Sequence, residues 1–396
     1  MIHGTAAAGW EPVREAFARV VELDDAGAAV SVVRDGRTVV DLWGGADPVS
    51  GDEWQSDSVV LTFSTAKGVL ALLTAMEVQT GTLDPDAPVA RYWPEFAQAG
   101  KASITVRDVL THVAGLPVLP MSEITDLFDP TALAARLAAQ APAYPPRAAW
   151  IYHPLSYGTL VGELLRRTTG LGIDQLVRQR LAAPLGRSGQ GSFGGSMWFG
   201  LPATEEHRRR NVHMGPAEPP ASPPAATETC AAGHLASLQV MPLLEWDGGR
   251  LGTEPMNNGA FLRAQIGGAG LVSDARSLAL MYAACVADVG GVRLLDPGTA
   301  AFVASDQLHG ISEPACTAGA VQTTRWGLGF EISHHAAPML GEGSFGHAGM
   351  GGALSFASIP HRLGFSFVGQ RLLFTTPGGD RRWQLLLSAV RVALTG

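Results

Sequence analysis

The sequence predicts an α+β protein in which both ends of the chain supply strands and helices, while the middle is mainly helical. Near the start, a stretch with helical periodicity at residues 10–23 precedes two β-rich runs that flank Asp35-Gly36, a dipeptide typical of tight hairpin turns. Near the end, the runs GGALSFASIP and LGFSFVGQ predict strands, and residues 381–394 predict a closing helix. Helical and loop-rich sequence fills the region between them.

The individual elements follow from their residue patterns. Trp10, Val13, Phe17 and Val20 recur at helical spacing and predict an amphipathic first helix. The stretch YGTLVGELLRRTTG predicts another amphipathic helix, and GGAGLVSDAR predicts a tight turn before a helix at residues 273–286. The stretch MGPAEPPASPPAATET is too rich in proline and small residues to pack into a core, so we predict a long surface loop there.

Composition and charge restrict the classes of partner. The chain has 396 residues, of which 46% are hydrophobic and 16% charged, so it can bury a large core. Its net charge of −8, with no basic run apart from Arg208-Arg209-Arg210, argues against nucleic acid and anionic membranes as partners. The N-terminus does not resemble a secretory leader and no apolar segment reaches about 18 residues, which predicts a cytoplasmic protein. Cys230, Cys285 and Cys316 have no metal-ligand spacing, and their odd number fits reduced thiols.

One of the two lysines in the chain lies in the stretch FSTAKGVLALL, although 26 arginines supply the rest of the basic charge. The apolar run SVVLTF ends where this helical stretch begins, so we expect Ser64 at the N-cap and Lys67 one turn later on the same face. A lysine that burial forces to lose its proton can activate a serine hydroxyl, whereas an arginine stays protonated. The free N–H groups at the start of the helix would stabilise negative charge near Ser64. The pair is therefore a candidate nucleophile and base.

The same two residues also fit a structural explanation. An N-cap serine followed by a solvated lysine on a surface helix has the same spacing. With so few lysines, one Ser-x-x-Lys pair is expected by accident in roughly one such chain in ten. The motif alone leaves both explanations open.

Six stretches occur in the order and at the spacing of one known family. They are VVDLWGGAD, FSTAKGV, LDPDAPVARYWPEFAQAGK, ITVRDVLTHVAGLP, WIYHPLSYGTLVGELLRRTTG and FGHAGMGGALSFA. Over nearly its whole length the chain resembles the serine β-lactamase and penicillin-binding-protein-like hydrolases, in particular the class C-like carboxylesterases (family VIII esterases) and related transacylases. The resemblance implies an α/β domain of residues 1–63 and 265–396, with an antiparallel sheet flanked by helices. It also implies a mainly helical domain of residues 64–264 that carries the nucleophile helix and the Pro-rich loop.

The resemblance assigns roles to the residues of two motifs. Ser64 matches the family's nucleophile, and Lys67 matches its proton-transfer partner. The second motif begins with a tyrosine that moves protons to the leaving group. It falls on Tyr152 in YHP, where Pro154 replaces the asparagine of many members. A lone tyrosine is about as often a core residue, so this assignment depends on the match of the flanking sequence.

The third motif, Lys-Thr-Gly in β-lactamases, falls on His347, Ala348 and Gly349, which the resemblance implies are substrate-binding residues. The backbone N–H groups of Met350 and Ser64 would then form the oxyanion hole. Histidine at the first position resembles the esterase branch more than the β-lactamases. An isolated histidine is otherwise more often a satisfied core or loop residue.

Other chemistries are not indicated by the sequence. It has no Gly-x-Ser-x-Gly, His-Glu-x-x-His, Cys-x-x-Cys or phosphate-loop motif, and its neighbouring histidines lack a carboxylate at metal-site spacing. We predict neither a metal nor a cofactor. The asparagine and lysine that are missing from the second and third motifs would hold a β-lactam, so β-lactamase or peptidase activity is less favoured.

The function that these residues favour is hydrolysis of a small ester through an acyl-Ser64 intermediate. The alternative is a transacylase of secondary metabolism that passes the acyl group to an amine or alcohol. Residues 186–229 form an insertion large enough to shape an acceptor pocket, although loops of this length are often neutral. A catalytically silent, ligand-binding protein fits least, because Ser64, Lys67 and Tyr152 are all present. The sequence leaves the oligomeric state open.

Overall fold

A computed structural model gives the fold and describes residues 1–186, 195–215, 246–247, 250–251, 254–312, 325–334, 339–373 and 380–396. The helices are α1 (Glu11–Asp24), α2 (Thr65–Gln79), α3 (Val106–Leu110), α4 (Pro130–Ala139), α5 (Ser156–Thr169), α6 (Ile173–Leu176), α7 (Ala183–Gly186), α8 (Glu254–Asn257), α9 (Gly259–Arg263), α10 (Ala275–Val286), α11 (Pro297–Val303) and α12 (Arg381–Thr395). The strands are β1 (Ile2–Ala6), β2 (Ala28–Arg34), β3 (Arg37–Gly44), β4 (Val59–Leu61), β5 (Met197–Phe199), β6 (Arg209–Arg210), β7 (His213–Met214), β8 (Trp246–Asp247), β9 (Arg250–Leu251), β10 (Leu271–Ser273), β11 (Glu331–Ile332), β12 (Ser344–Ala348), β13 (Leu354–Ser358), β14 (Leu363–Gly369) and β15 (Arg371–Leu372).

A large antiparallel sheet joins the two ends of the chain. Its strand order within the described residues is β1-β3-β2-β14-β13-β12-β11, and each neighbouring pair is antiparallel. These strands come from residues 2–44 and 331–369, while the region between is mainly helical. The predicted α+β fold with an antiparallel sheet is confirmed. The division into domains at residues 63/64 and 264/265 stays a prediction.

The predicted local elements near the chain ends are present. Strands β2 and β3 form a hairpin, and both Asp35 and Gly36 have a positive φ, as a two-residue turn of this kind requires. Helices α1 and α12 and strands β13 and β14 also lie where their patterns predict them. One detail differs, because β10 lies directly before α10 where the sequence predicted only a tight turn. The buried Leu271–Ser273 segment pairs with β4 and β5.

Helices cover both faces of the large sheet. Alternate residues of β2 contribute to two separate cores, because strand side chains point to opposite faces in turn. Val30 and Val32 join a core with α1 and α12, whereas Ala29 and Val33 face a core that includes α2 and α10. The second core extends into the helical region. The sheet is therefore the middle layer, and α2 belongs to the larger core.

Helix α2 is buried all round. Every side chain from residue 65 to residue 75 is buried, and the helix packs against β12 and α5. It follows β4 after a sharp turn, in which Phe63 has a positive φ of 51°. Such a conformation is strained for a bulky residue and persists only where its surroundings enforce it. The first turn of α2 is thus fixed close to the end of β12.

The described part of the predicted insertion is integrated into the fold. Strand β5 pairs with β10 in a second sheet of order β5-β10-β4-β6, and Met197 and Phe199 are buried. Residues 187–194 and 216–229 of the predicted insertion lie outside the described residues, so the expected Pro-rich loop does too, except for its first two residues. The same holds for Cys230 and Cys316, whereas Cys285 is a buried free thiol. Within the described ranges, no helix is both long and apolar enough to cross a membrane.

Candidate active site

Ser64 and Lys67 lie in direct contact at the start of α2. The Lys67 Nζ atom is 3.0 Å from Ser64 Oγ and 2.7 Å from the carbonyl oxygen of Gly268. Ser64 occupies the N-cap position, but its side chain makes no capping bond to the described backbone. Its hydroxyl is turned toward the lysine instead. The spacing of three residues does place both groups on one face.

The surroundings of Lys67 exclude the explanation of a solvated surface lysine. Its side chain is fully buried, and its Nζ lies 4.9 Å from the centre of the Tyr152 ring. Burial lowers the pKa of Lys67 to about 7, and the negative charge of Glu331 partly opposes this shift. The amino group can therefore be neutral near physiological pH, as a proton acceptor for Ser64 requires.

The other lysine of the chain provides a contrast. Lys101 is also fully buried, but its amino group donates to three backbone carbonyl oxygens, those of Gln98, Ala138 and Gln140. None of these is a nucleophile, and the bonds join two separate segments of the helical region. Lys101 is therefore a structural residue. The Lys67 amino group, in contrast, bonds a side-chain hydroxyl as well as one backbone carbonyl oxygen.

Tyr152 completes a group of three around the Ser64 hydroxyl. Burial raises the pKa of its phenol well above the usual value, and the neighbouring Ser64 side chain opposes only part of this shift, so the hydroxyl keeps its proton. The ring packs between His112, with centroids 4.8 Å apart, and His347, at 6.1 Å. A protonated phenol in this position can pass a proton onward without becoming a stable anion.

The loop that carries Tyr152 is held by two histidines. The Nδ1 atom of His112 accepts the backbone N–H of His153 at 3.1 Å. His153 Nε2 in turn accepts the N–H of Leu116 at 3.2 Å, so its Nδ1 carries the proton and donates to the Ile151 carbonyl oxygen at 2.6 Å. The sequence analysis did not identify His112, although its positive φ of 62° is another local strain beside the site.

The third predicted motif lies at the end of β12, next to the same group. His347 is buried, and its Nδ1 bonds the carbonyl oxygen of Ala348 at 2.6 Å. Burial and the positive charge of Lys67 lower the pKa of His347 to about 3, so the ring is neutral. Nδ1 is then the donor, and Nε2 is a buried acceptor that has no partner among the described groups.

Glycines bring β12 and α2 into close backbone contact. A Cβ atom at Gly349 would lie 2.3 Å from the carbonyl oxygen of Thr62, two residues before Ser64. A Cβ at Gly68 would lie 3.3 Å from the Cβ of His347 and 2.1 Å from the Tyr282 hydroxyl oxygen. A side chain at Gly349 would displace the backbone that precedes Ser64, and one at Gly68 would displace the Tyr282 hydroxyl. Gly349 thus places the following residue, Met350, beside the turn that carries the nucleophile.

Glu331 belongs to the site but was missed by the sequence analysis. Its Oε2 accepts the N–H of Ala348 at 3.2 Å, and its Oε1 lies 3.6 Å from Nδ1 of His347. Burial raises the pKa of Glu331 to about 7. A carboxylate within the apolar run GLGFEI was the available signal, because buried acids are rare without a partner. Among the described residues, no cluster of three or more His, Cys, Asp or Glu could hold a metal ion.

The two buried lysines should respond differently to replacement by methionine. Unfolded lysine binds its proton up to about pH 10.4, whereas folded Lys67 releases it near pH 7, so the wild-type protein gains stability as the pH rises between these values. The measured quantity is the free energy of unfolding of the wild type minus that of Lys67→Met. We expect this difference to increase by about 1.4 kcal/mol between pH 8 and pH 9. Urea unfolding at both pH values measures this, and a constant difference would contradict the burial of an uncharged Lys67.

Lys101→Met is the matched variant. It leaves three carbonyl oxygens without their donor, so we expect a loss of about 2–4 kcal/mol in unfolding free energy, with turnover per folded molecule unchanged. Lys67→Met should show the reverse, an intact fold and no turnover of a p-nitrophenyl ester. Equal loss of activity in both variants would mean that Lys67 has no special role.

Comparison with known proteins shows the same fold and family. The family model described as Beta-lactamase matches residues 16–389. The chain is 32% identical to the esterase/beta-lactamase LipL of Mycobacterium tuberculosis over 356 residues, which cover 88% of this chain and 77% of LipL. It is 28% identical over 218 residues, 46% of this chain and 52% of the relative, to the monacolin J acid methylbutanoyltransferase of Aspergillus terreus. The crystal structure of a family VIII carboxylesterase superposes with a TM-score of 0.84 at 30% identity, over 99% of this chain and all of the other. The chain therefore belongs to the Beta-lactamase family.

Proposed function

We propose that the protein is a serine carboxylesterase that cleaves small esters through an acyl-Ser64 intermediate. One observation carries the proposal: a fully buried lysine amino group lies 3.0 Å from the Ser64 hydroxyl. Burial makes this lysine a base near neutral pH, and a serine hydroxyl needs such a base to attack a carbonyl carbon. The esterase relatives described above support the same activity.

In the acylation step, neutral Lys67 accepts the Ser64 proton while Oγ attacks the ester carbonyl carbon. Negative charge then develops on the carbonyl oxygen, and we assign its stabilisation to the backbone N–H groups of Ser64 and Met350. The close approach of Gly349 to Thr62 supports this pairing, because it brings the segments that precede Met350 and Ser64 together. Collapse of the tetrahedral intermediate expels the alkoxide.

The leaving group needs a proton, and Tyr152 is positioned to deliver it. Its hydroxyl keeps its proton and its ring lies 4.9 Å from the Lys67 Nζ atom, so it can donate to the departing oxygen while protonated Lys67 restores the phenol. The free alcohol leaves and the acyl group stays on Ser64. Water then attacks the acyl carbon and gives its proton to the same pair of residues, which releases the acid and regenerates the hydroxyl.

Two features of the site favour esters over β-lactams. Pro154 has no hydrogen-bonding side chain at the position where an asparagine would contact an amide, and the ring of His347 is neutral where a lysine would supply positive charge for a carboxylate. His347, Ala348 and Gly349 would line the substrate side of β12. The cytoplasmic location that the sequence predicts, and a small-molecule substrate without nucleic acid or membrane partners, remain part of this proposal.

Substitutions of Ser64 and Lys67 test the nucleophile and the base. We expect Ser64→Ala to reduce kcat/KM for p-nitrophenyl butyrate by at least ~10³-fold and to abolish the mass shift caused by a fluorophosphonate. Lys67→Arg should be as inactive as Lys67→Ala, because arginine keeps the charge but cannot act as a neutral base. Circular dichroism and thermal unfolding serve as controls for folding. An active Arg variant would show that Lys67 supplies only positive charge.

The pH dependence tests the environment of the base. Activity requires neutral Lys67, so kcat/KM should rise with pH through about 7. Glu331 holds the pKa of Lys67 up, and Glu331→Gln keeps an oxygen for the Ala348 N–H but loses the charge. We expect this variant to move the acidic limb of the profile down by about one pH unit. The control is Glu15→Gln on the exposed face of α1, which should leave the limb in place, and an upward shift in Glu331→Gln would contradict the assignment.

Transfer of the acyl group to an amine or alcohol is the second candidate function. The relative named as a methylbutanoyltransferase supports it, because the same acyl-serine would serve either reaction. An acceptor must compete with water, which requires a site that holds it against the acyl carbon. The described residues of the predicted insertion form part of the second sheet, and its remaining residues lie outside the description.

Product analysis separates the two functions. We expect an activated ester in the presence of amines and alcohols at about 1 mM to give mainly the free acid, because water is present at ~55 M and an acceptor can compete only from a dedicated site. Ser64→Ala provides the correction for uncatalysed transfer. If one acceptor gives transfer product faster than the free acid forms, acyl transfer replaces hydrolysis as the first-ranked function and the protein is an acyltransferase.

A further inference from the structure

The turn between β12 and β13 carries Met350, whose N–H we assign to the oxyanion hole. Within the turn, the Gly349 N–H bonds the Ala353 carbonyl oxygen at 2.7 Å, and the Gly352 N–H bonds the Gly349 carbonyl oxygen at 3.0 Å. Gly351 and Gly352 both have a positive φ, of 82° and 113°. A segment so rich in glycine has little conformational preference of its own, so its geometry must be imposed by its neighbours.

Arg382, at the start of α12, is one of those neighbours. Its side chain is 2% exposed, and its Nη2 donates to the Gly351 carbonyl oxygen at 2.5 Å. The remaining guanidinium donors bond Asp24, Asp380 and the Arg371 carbonyl oxygen. All five N–H groups of the arginine are therefore used, and two buried carboxylates fix its orientation.

Trp383 holds the next carbonyl of the same turn. Its Nε1 donates to the Gly352 oxygen at 2.8 Å. The backbone of the turn lies directly against the Arg382 guanidinium, since a Cβ at Gly352 would lie 1.7 Å from Nη2 of Arg382. On the opposite side, the Gly349 backbone touches Thr62 beside the nucleophile. The turn is thus clamped between the Ser64 segment and the first turn of α12.

We propose that Arg382 and Trp383 are positioning residues for the reaction, and that their bonds to the Gly351 and Gly352 carbonyl oxygens aim the Met350 N–H at the oxyanion. This inference rests on the proposed function. The peptide whose Gly351 carbonyl oxygen Arg382 holds also carries the Gly352 N–H, which bonds the Gly349 carbonyl oxygen. That oxygen lies in the same peptide plane as the Met350 N–H, so the bond from Arg382 is passed on to the direction of that N–H. Trp383 holds the next peptide of the turn through the Gly352 oxygen. Their hydrogen bonds within the described part of the chain go to Asp24, Asp380, Arg371 and the turn, and none goes to Ser64, so they would act through the turn.

Trp383→Phe is the sharpest variant, because it removes one N–H donor and keeps an aromatic ring in the half-buried position. The active-site concentration is first determined by fluorophosphonate titration. We then expect kcat for p-nitrophenyl butyrate to fall about tenfold with KM nearly unchanged, since an oxyanion donor acts mainly in the transition state. Affinity for an alkyl boronic acid, which mimics the tetrahedral anion on Ser64, should fall by a similar factor.

The control is Trp10→Phe, in the core shared with α12, whose side chain makes no hydrogen bond to the described part of the turn. It should leave kcat and boronate affinity unchanged.

Arg382→Lys keeps the charge but offers fewer donors, and in its folded form it should lose kcat and boronate affinity as Trp383→Phe does. Unchanged kcat and boronate affinity in Trp383→Phe, with an active wild type, would overturn the positioning role alone. A wild type without ester turnover or Ser64 labelling would overturn the proposed function instead.

Discussion

The burial of one amino group beside the Ser64 hydroxyl is the constraint on which the rest of the site depends. A lysine inside an apolar helix is difficult to charge, and this difficulty makes it a base near neutral pH. The lowered pKa of Lys67 depends on the burial of α2, against which β12 and α5 pack. The Gly268 carbonyl oxygen accepts a hydrogen bond from the amino group. A nucleophile helix on the protein surface would have the same Ser-x-x-Lys spacing and a protonated lysine.

The features that the sequence predicts well are those determined by a few neighbouring residues. The Asp35-Gly36 hairpin, the helices α1 and α12 and the relation of Ser64 to Lys67 all follow from local spacing and turn chemistry. The antiparallel sheet was inferred from a resemblance and not from the residues. Tyr152 and His347 were found in the same way, and the structure brings both to the Ser64 group.

The features that the sequence does not predict depend on contacts between distant segments. Glu331 bonds Ala348 on the neighbouring strand, and nothing adjacent to it in the sequence suggests a partner. Phe63 has a positive φ that no local preference explains, since only the packing around β4 and α2 can hold a bulky residue there. Asp380 binds Arg382 from two residues away, but the carboxylate of Asp24 reaches the same guanidinium from the other end of the chain, and that contact requires the folded protein.

Because the reacting groups come from core elements, the same chemistry can serve different substrates. In the proposed mechanism, the base, the phenol and the backbone N–H groups act on the acyl carbonyl and its oxygens, a part that all esters share. A side chain at Gly68 would collide with the Tyr282 hydroxyl oxygen, and one at Gly349 with the Thr62 carbonyl oxygen, so changes in these core elements are costly. On the proposed mechanism, the choice between water and another acceptor in this chain must therefore depend on residues outside these elements, where loops can change without disturbing the pair of Ser64 and Lys67.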